Sequence, residues 1–162
     1  MPPLPDHMRA ARPTDHAAID ALLRATFPSP AEAALVRALR EAEAMDMELV
    51  LPDETALAGY LALSRMAEPA GWLALAPLAI APAWQGRGLG QRLTKAALKL
   101  TAIKGQTVVV LGAPAYYARC GFSQSRAACL TSPYPLDHTL LFGPGDDSRA
   151  ATLRYPAAFA AL

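Results

Sequence analysis

Residues 84–91 read WQGRGLGQ, and no other stretch limits the fold so sharply. An apolar run, Gly71 to Trp84, leads into them. From Gly88 to Lys104 the spacing predicts a helix, with Leu89, Leu93, Ala96, Ala97, Leu100 and Ile103 on one stripe and Arg92, Lys95 and Lys99 opposite. Gly105 ends it, and TVVVLG (107–112) is an apolar, β-branched strand. Strand, helix and apolar strand predict a right-handed βαβ unit with parallel strands. The glycines therefore sit where a strand hands over to a helix. A helix start presents unpaired N–H groups and the positive end of the dipole, and glycine lets a ligand approach the backbone. Together these predict an anion site, phosphate being the usual occupant. A plain tight turn is the competing reading.

The rest of the chain supplies a mixed α/β set of elements. Arg9 to Arg12 alternate with alanines as in a short strand. Thr14 or Asp15 is placed to cap a helix whose apolar face is Ile19, Leu22 and Leu23. Ser29 and Glu32 have capping-box spacing for a second helix with Pro30 at its first position; Ala34, Leu35, Ala38 and Leu39 carry its apolar spacing and Arg37 and Arg40 its solvated face. MELVLPD and TALAGYLALSRM read as a hairpin turning at Pro52-Asp53-Glu54. GWLALAPLAIAP is apolar on both faces, and Pro77 within it predicts a bulge or splayed strands, because proline cannot donate to a ladder. PAYYARCGF suggests a short helix from Pro114 to just before Gly121, and the remainder suggests two closing strands and a tail.

Composition narrows the class. With 53% hydrophobic and 18% charged residues, 162 residues suit one domain spanning 1–162. A formal net charge of +1 excludes nucleic-acid binding through bulk charge, so any anion must be caught locally. Cys120 and Cys129 are too few for a disulfide scaffold, and His7, His16 and His138 share no ligand spacing, so no metal is expected. Asp137-His138 reads as a turn before the last strand. The first thirteen residues lack the apolar core of a signal peptide, and the longest apolar run is too short to cross a bilayer. The expectation is a cytoplasmic protein with no membrane partner; its alanine and proline richness suggests a bacterial source.

The spacing also rejects two phosphate ligands. A nicotinamide fingerprint needs G-x-G-x-x-G and an acid about twenty residues on. Here the third glycine comes one residue early and IKGQTVVV offers no acid. The nucleoside-triphosphate loop G-x-x-x-x-G-K-S/T is absent.

The arrangement instead resembles the GNAT superfamily of N-acetyltransferases. Their cofactor motif, Q/R-x-x-G-x-G/A, is filled by Gln85, Gly88 and Gly90, and their tyrosine four residues before Gly-Phe by Tyr117 before Gly121-Phe122. LAPLAIAP, VVVLGAPAYYARCGF and LRYPAAF look most similar to the YhbS-like branch of bacterial N-acetyltransferases, and the resemblance extends over residues 8–142. It implies the acyl-CoA N-acyltransferase fold: a central mixed β-sheet with splayed parallel strands, flanked by helices. It implies acetyl-CoA as co-substrate, held by the backbone of Leu78, Ala79 and Ile80 along the pantetheine arm and by Gln85, Gly86, Arg87, Gly88, Leu89, Gly90 and Gln91 at the pyrophosphate. One amide of the bulged strand would face the thioester oxygen. Tyr117 would be the general acid, with Tyr116 second. Transfer would go directly to an amine, carried by a small molecule or a peptide, since neither cysteine is placed as an acyl carrier; a homodimer is left open.

Two positions depart from the family pattern. Val110 stands where many members have asparagine, and no ionisable residue occupies the bulged strand where many carry a glutamate base. Glu32, Glu54 and Glu68 are the acids left to supply one, beside a water chain. The missing base keeps a second reading open, a module that binds acyl-CoA without turnover.

Overall fold

Pro77 divides the long apolar strand, and the architecture follows from that division. The structure, a computed structural model, describes residues 3–5, 7–145 and 150–162. In chain order the elements are β1 (Arg9–Ala10), α1 (His16–Thr26), α2 (Ala31–Glu41), β2 (Met45–Pro52), β3 (Leu57–Arg65), β4 (Leu73–Ile80), α3 (Leu89–Ile103), β5 (Val108–Leu111), α4 (Pro114–Arg119), β6 (Leu130–Thr131), β7 (Thr139–Phe142) and β8 (Ala151–Thr152). The main sheet runs β1-β2-β3-β4-β5-β7, antiparallel except for the parallel pair β4–β5. It is a mixed sheet flanked by helices, as expected.

Side-chain alternation divides the sheet into two faces. Leu61 and Leu63 of β3, Leu73 and Leu75 of β4, Val108 and Val110 of β5 and Leu140 of β7 pack with Leu93, Ala97 and Leu98 of α3. Their neighbours in the strands point the other way. Ala74, Val109 and Leu141 meet Leu35 and Leu39 of α2, and Tyr60 and Ala62 join Ile19, Leu22 and Leu23 of α1. Leu93 has no exposed surface, so truncating it to alanine costs about 2–5 kcal/mol.

Four local expectations are corrected. Leu100 and Ile103 are 41% and 83% exposed, while Thr94, Leu98 and Thr101 are buried. The inward arc of α3 is turned most of a quarter turn from the apolar stripe, because two threonines satisfy themselves: Thr94 Oγ1 donates to Gly90 O (2.8 Å) and Thr101 Oγ1 to Leu98 O (2.9 Å). Arg40 is not solvated. Its guanidinium grips Glu48 (Nη2–Oε1 2.7 Å), which also accepts the Tyr60 hydroxyl at 2.7 Å. The Ser29–Glu32 capping box does not form: Ser29 Oγ accepts the Ala31 N–H (3.2 Å), and Glu32 Oε1 has no partner. Asp15 starts α1, but its carboxylate is taken by the Arg9 guanidinium (2.7 and 2.9 Å) and the Arg12 N–H (2.7 Å) rather than capping α1.

Only one of the late strands closes the main sheet. β6 and β8 pair with each other, parallel, as a separate two-stranded ladder. Strands of two residues carry too little periodicity to read from sequence.

Candidate functional site

The β4–β5 ladder holds only at Leu73↔Val108, Ala74↔Val109 and Leu75↔Val110. Against β3, β4 shifts register between Leu75 and Leu78, so Ala76 and Pro77 form the bulge, and pairing resumes at Leu61↔Leu78, Tyr60↔Ala79 and Gly59↔Ile80. One edge of residues 78–80 is thus occupied by β3. The other faces the gap left beyond Leu75↔Val110, where the pairing of β4 with β5 ends. Backbone groups on that edge are available to an extended ligand, as in strand addition.

The glycine turn stands at the end of that gap. A short 3-10 turn, Pro82–Trp84, and a bond from Gln85 Nε2 to Ile80 O (2.9 Å) fix the loop to the strand end. Trp84 Nε1 donates to Asp53 Oδ2 (3.1 Å), and the Arg87 guanidinium lies 4.9 Å over the Trp84 ring. Gly86 and Gly88 have φ of +78° and +80°, with open space where a Cβ would be. Glycine is required there by the backbone conformation, and the loop surface stays open. Arg92 N to Gly88 O (3.1 Å) is the first bond of the α3 ladder, so the amides of 89–91 precede it and point out of the helix start.

Ile80, Gln85, Gly86, Gly88, Leu89, Gly90 and Gln91 line one cleft of about 270 Å³, together with Trp84 and Tyr116. Leu78 and Ala79 lie further back along β4, outside that lining. Arg87 stands beside the cleft on Trp84. The cleft's tyrosine is therefore Tyr116, while Tyr117 packs on the far side. The Tyr117 ring is 4.9 Å from that of Tyr116 and 5.7 Å from that of Phe122, both edge-on, and its Cε2 would lie 2.5 Å from a Cβ at Gly112. Burial pushes the Tyr117 phenol well above its ordinary pKa, with the neighbouring Tyr116 adding to the rise. Burial raises Tyr116 too. Both phenols are proton donors at neutral pH. The resemblance offers Tyr116 only as the second candidate acid and gives it no place at the cofactor cleft. The available signal was Gly90, a glycine inside a helix, which asks for a bulky neighbour.

Cys120 is buried, and desolvation raises its thiol pKa, the wrong direction for a nucleophile. No three His, Cys, Asp or Glu side chains converge on a metal site among the described residues. Among the acids proposed as bases, Glu54 and Glu68 are exposed, and Glu32 is half-buried.

Residues 16–122 match the profile of the acetyltransferase (GNAT) family. The chain belongs to that family. It is 41% identical over 120 residues to an uncharacterised N-acetyltransferase, YhbS, of Escherichia coli K12, covering 71% of this chain and 72% of the relative. Its fold superposes on the crystal structure of E. coli YhbS in complex with CoA with a TM-score of 0.86 and 32% identity, covering 99% of this chain and 94% of that one. A Brucella melitensis GNAT acetyltransferase in complex with acetyl-CoA gives a TM-score of 0.79 at 29% identity, covering 94% and 97%. The GNAT assignment supports acyl transfer as the class of chemistry. The open strand edge and the glycine cleft both suit a long, phosphate-bearing thioester. No helix among the described residues is long and apolar enough to cross a membrane.

Proposed function

We propose that this chain transfers the acetyl group of acetyl-CoA directly to a primary amine. The observation that carries the reading is the coincidence of two openings on one line: β4 loses its β5 partner after Leu75, and the glycine cleft begins at Ile80. A pantetheine arm needs backbone partners over several residues, and Leu78, Ala79 and Ile80 offer them. A pyrophosphate needs several N–H donors converging, and the loop from Gln85 to Gln91 offers those without a lysine. Acetyl-CoA supplies the activated thioester.

A β4 amide beside the bulge would stabilise charge on the thioester oxygen. A neutral amine forms the new C–N bond as the C–S bond breaks. The electron pair leaves on sulfur, which takes the Tyr117 phenol proton. The acylated nitrogen then gives up its surplus proton, restoring the phenol. The raised phenol pKa suits a donor that must stay protonated at neutral pH.

The test is release of free CoA thiol from acetyl-CoA with a panel of primary amines, followed beside cofactor binding. Amine-dependent release supports transfer. Tight acetyl-CoA binding with no release from any amine supports the alternative, a module that binds acyl-CoA without turnover.

A further inference from the structure

Glu32 is the one acid of the chain with a buried oxygen that nothing bonds, among the described residues. A carboxylate oxygen removed from water without a donor is costly, and such groups are kept where a ligand completes them. The position of Glu32 on α2 shows which ligand that would be. Glu32 shares a stripe with Leu35, Val36 and Leu39, three and four residues apart, and those three are at most 2% exposed. That stripe faces the sheet, so the carboxylate does too.

Its level along the sheet follows from the two ends of α2. Beyond the C-terminal end, Arg65 N donates to Ala44 O (2.8 Å), and Arg65 is paired with Leu73, the first residue of β4. Leu39 shares a cluster with Met66 and Trp72, whereas Ala33 shares one with Ala79. The helix therefore runs back over β4, its start lying toward the strand's end. From Glu41, the last residue of α2, back to Glu32 is about 13 Å of helix, the length of about four strand residues. Counted from the Leu73 end of β4, and with Ala33 in the cluster of Ala79, that brings Glu32 level with about residues 77–79, beside the bulge, on the sheet face opposite α3.

We infer that Glu32 receives the acceptor: its carboxylate binds the amine as an ammonium ion and takes one proton from it. The N–H bond breaks, its electron pair stays on nitrogen, and the proton moves to a Glu32 oxygen. The acceptor is then a cationic primary amine entering on the α2 face, while the cofactor lies along the β4 edge. This rests on the acetyl-transfer reading above. It also gives the bulged strand, which has no ionisable residue, the base it lacks. A carboxylate in the first turn of a helix has a purely structural use as well, since the dipole favours it, and the experiment separates the two.

Glu32→Gln keeps shape and removes charge. The expected result is a fall of about 100-fold or more in kcat/KM for the amine, with acetyl-CoA affinity unchanged and partial recovery in Glu32→Asp. The thermal midpoint of the unliganded protein should hold or rise, because an unpaired buried charge is gone. An unchanged kcat/KM, or a midpoint lowered by several degrees, overturns the proposal in favour of the dipole role. If the wild type releases thiol with no amine, the acetyl-transfer reading fails by itself. Glu32 is then judged by titrating the CoA-loaded protein with octylamine and tyramine. Binding lost in Glu32→Gln supports the ammonium site; equal binding, or none by the wild type, overturns it.

Discussion

The Tyr116 hydroxyl lies against Gly90, in the space that a β-carbon at residue 90 would fill. α4 thereby sends one side chain across to the first turn of α3, and the glycine exists to admit it. Gly90→Ala is expected to displace the ring and weaken acetyl-CoA binding. The stability effect has a sign that tests the relationship. Alanine favours a helix over glycine by about 1 kcal/mol, so Gly90→Ala should stabilise the chain once the hydroxyl is gone. We expect it to destabilise the wild type and to stabilise Tyr116→Phe, in a double-mutant cycle followed by denaturant unfolding. Additive effects would mean that the contact does not govern residue 90.

The two adjacent tyrosines should separate kinetically. Tyr116 lines the glycine cleft, and Tyr117 is half-buried, packed between Gly112, Tyr116 and Phe122. Tyr116→Phe should raise the dissociation constant for acetyl-CoA by about 10-fold, the loss of one hydrogen bond to a charged group, and leave kcat for bound substrate little changed. Tyr117→Phe should do the reverse, lowering kcat by about 100-fold with cofactor affinity kept. Isothermal titration beside steady-state thiol release reads both. Exchanged phenotypes would assign the acid role to Tyr116.

What the sequence revealed and what it concealed divide along a physical line. Pro77, Gly105 and the turn at Pro52-Asp53-Glu54 act on their own backbone, and each is where it was expected. The glycine loop was legible for the same reason, since a positive φ is a local requirement. Arg40 reads as solvated because its partner Glu48 lies on a different element, and the spacing along α2 does not register it. The burial of Thr94 and Thr101 does not show in the sequence, because a threonine that bonds its own helix counts as polar in any periodicity. Glu32 had capping-box spacing, yet its side chain turned inward; only the packing of α2 on β4 decides that. Local backbone chemistry was readable, and pairings across the fold were not.

Asp15 gives a pH test of the N-terminal anchor. The Arg9 guanidinium, then the Arg12 N–H, hold its carboxyl far below the usual carboxylate range. A folded pKa below the unfolded one means that the carboxylate stabilises the fold fully above the ordinary value near 4 and loses that contribution as pH falls toward its folded pKa. Asp15→Asn should therefore lower the thermal midpoint by a few degrees at pH 7. The gap to wild type should narrow progressively below about pH 4. A gap that stays constant with pH would mean that Asp15 acts through neutral hydrogen bonds rather than charge.

Gly88 separates backbone conformation from anion binding. Its φ is +80°, and a Cβ there meets nothing within 4 Å. Gly88→Ala therefore pays only for the left-handed conformation, about 1–2 kcal/mol, with no clash. Asparagine tolerates that region better, so Gly88→Asn should cost less than alanine. Gly88→Glu adds negative charge beside the outward-pointing amides, where the pyrophosphate is proposed to sit. Stability should rank asparagine above alanine. Acetyl-CoA affinity should follow charge instead, with glutamate reducing it by 100-fold or more while alanine and asparagine lose about 10-fold or less, if charge–charge repulsion at short range dominates. Comparing chemical unfolding with cofactor titration across the three variants checks both rankings. Equal affinity in alanine and glutamate variants would move the pyrophosphate away from this loop.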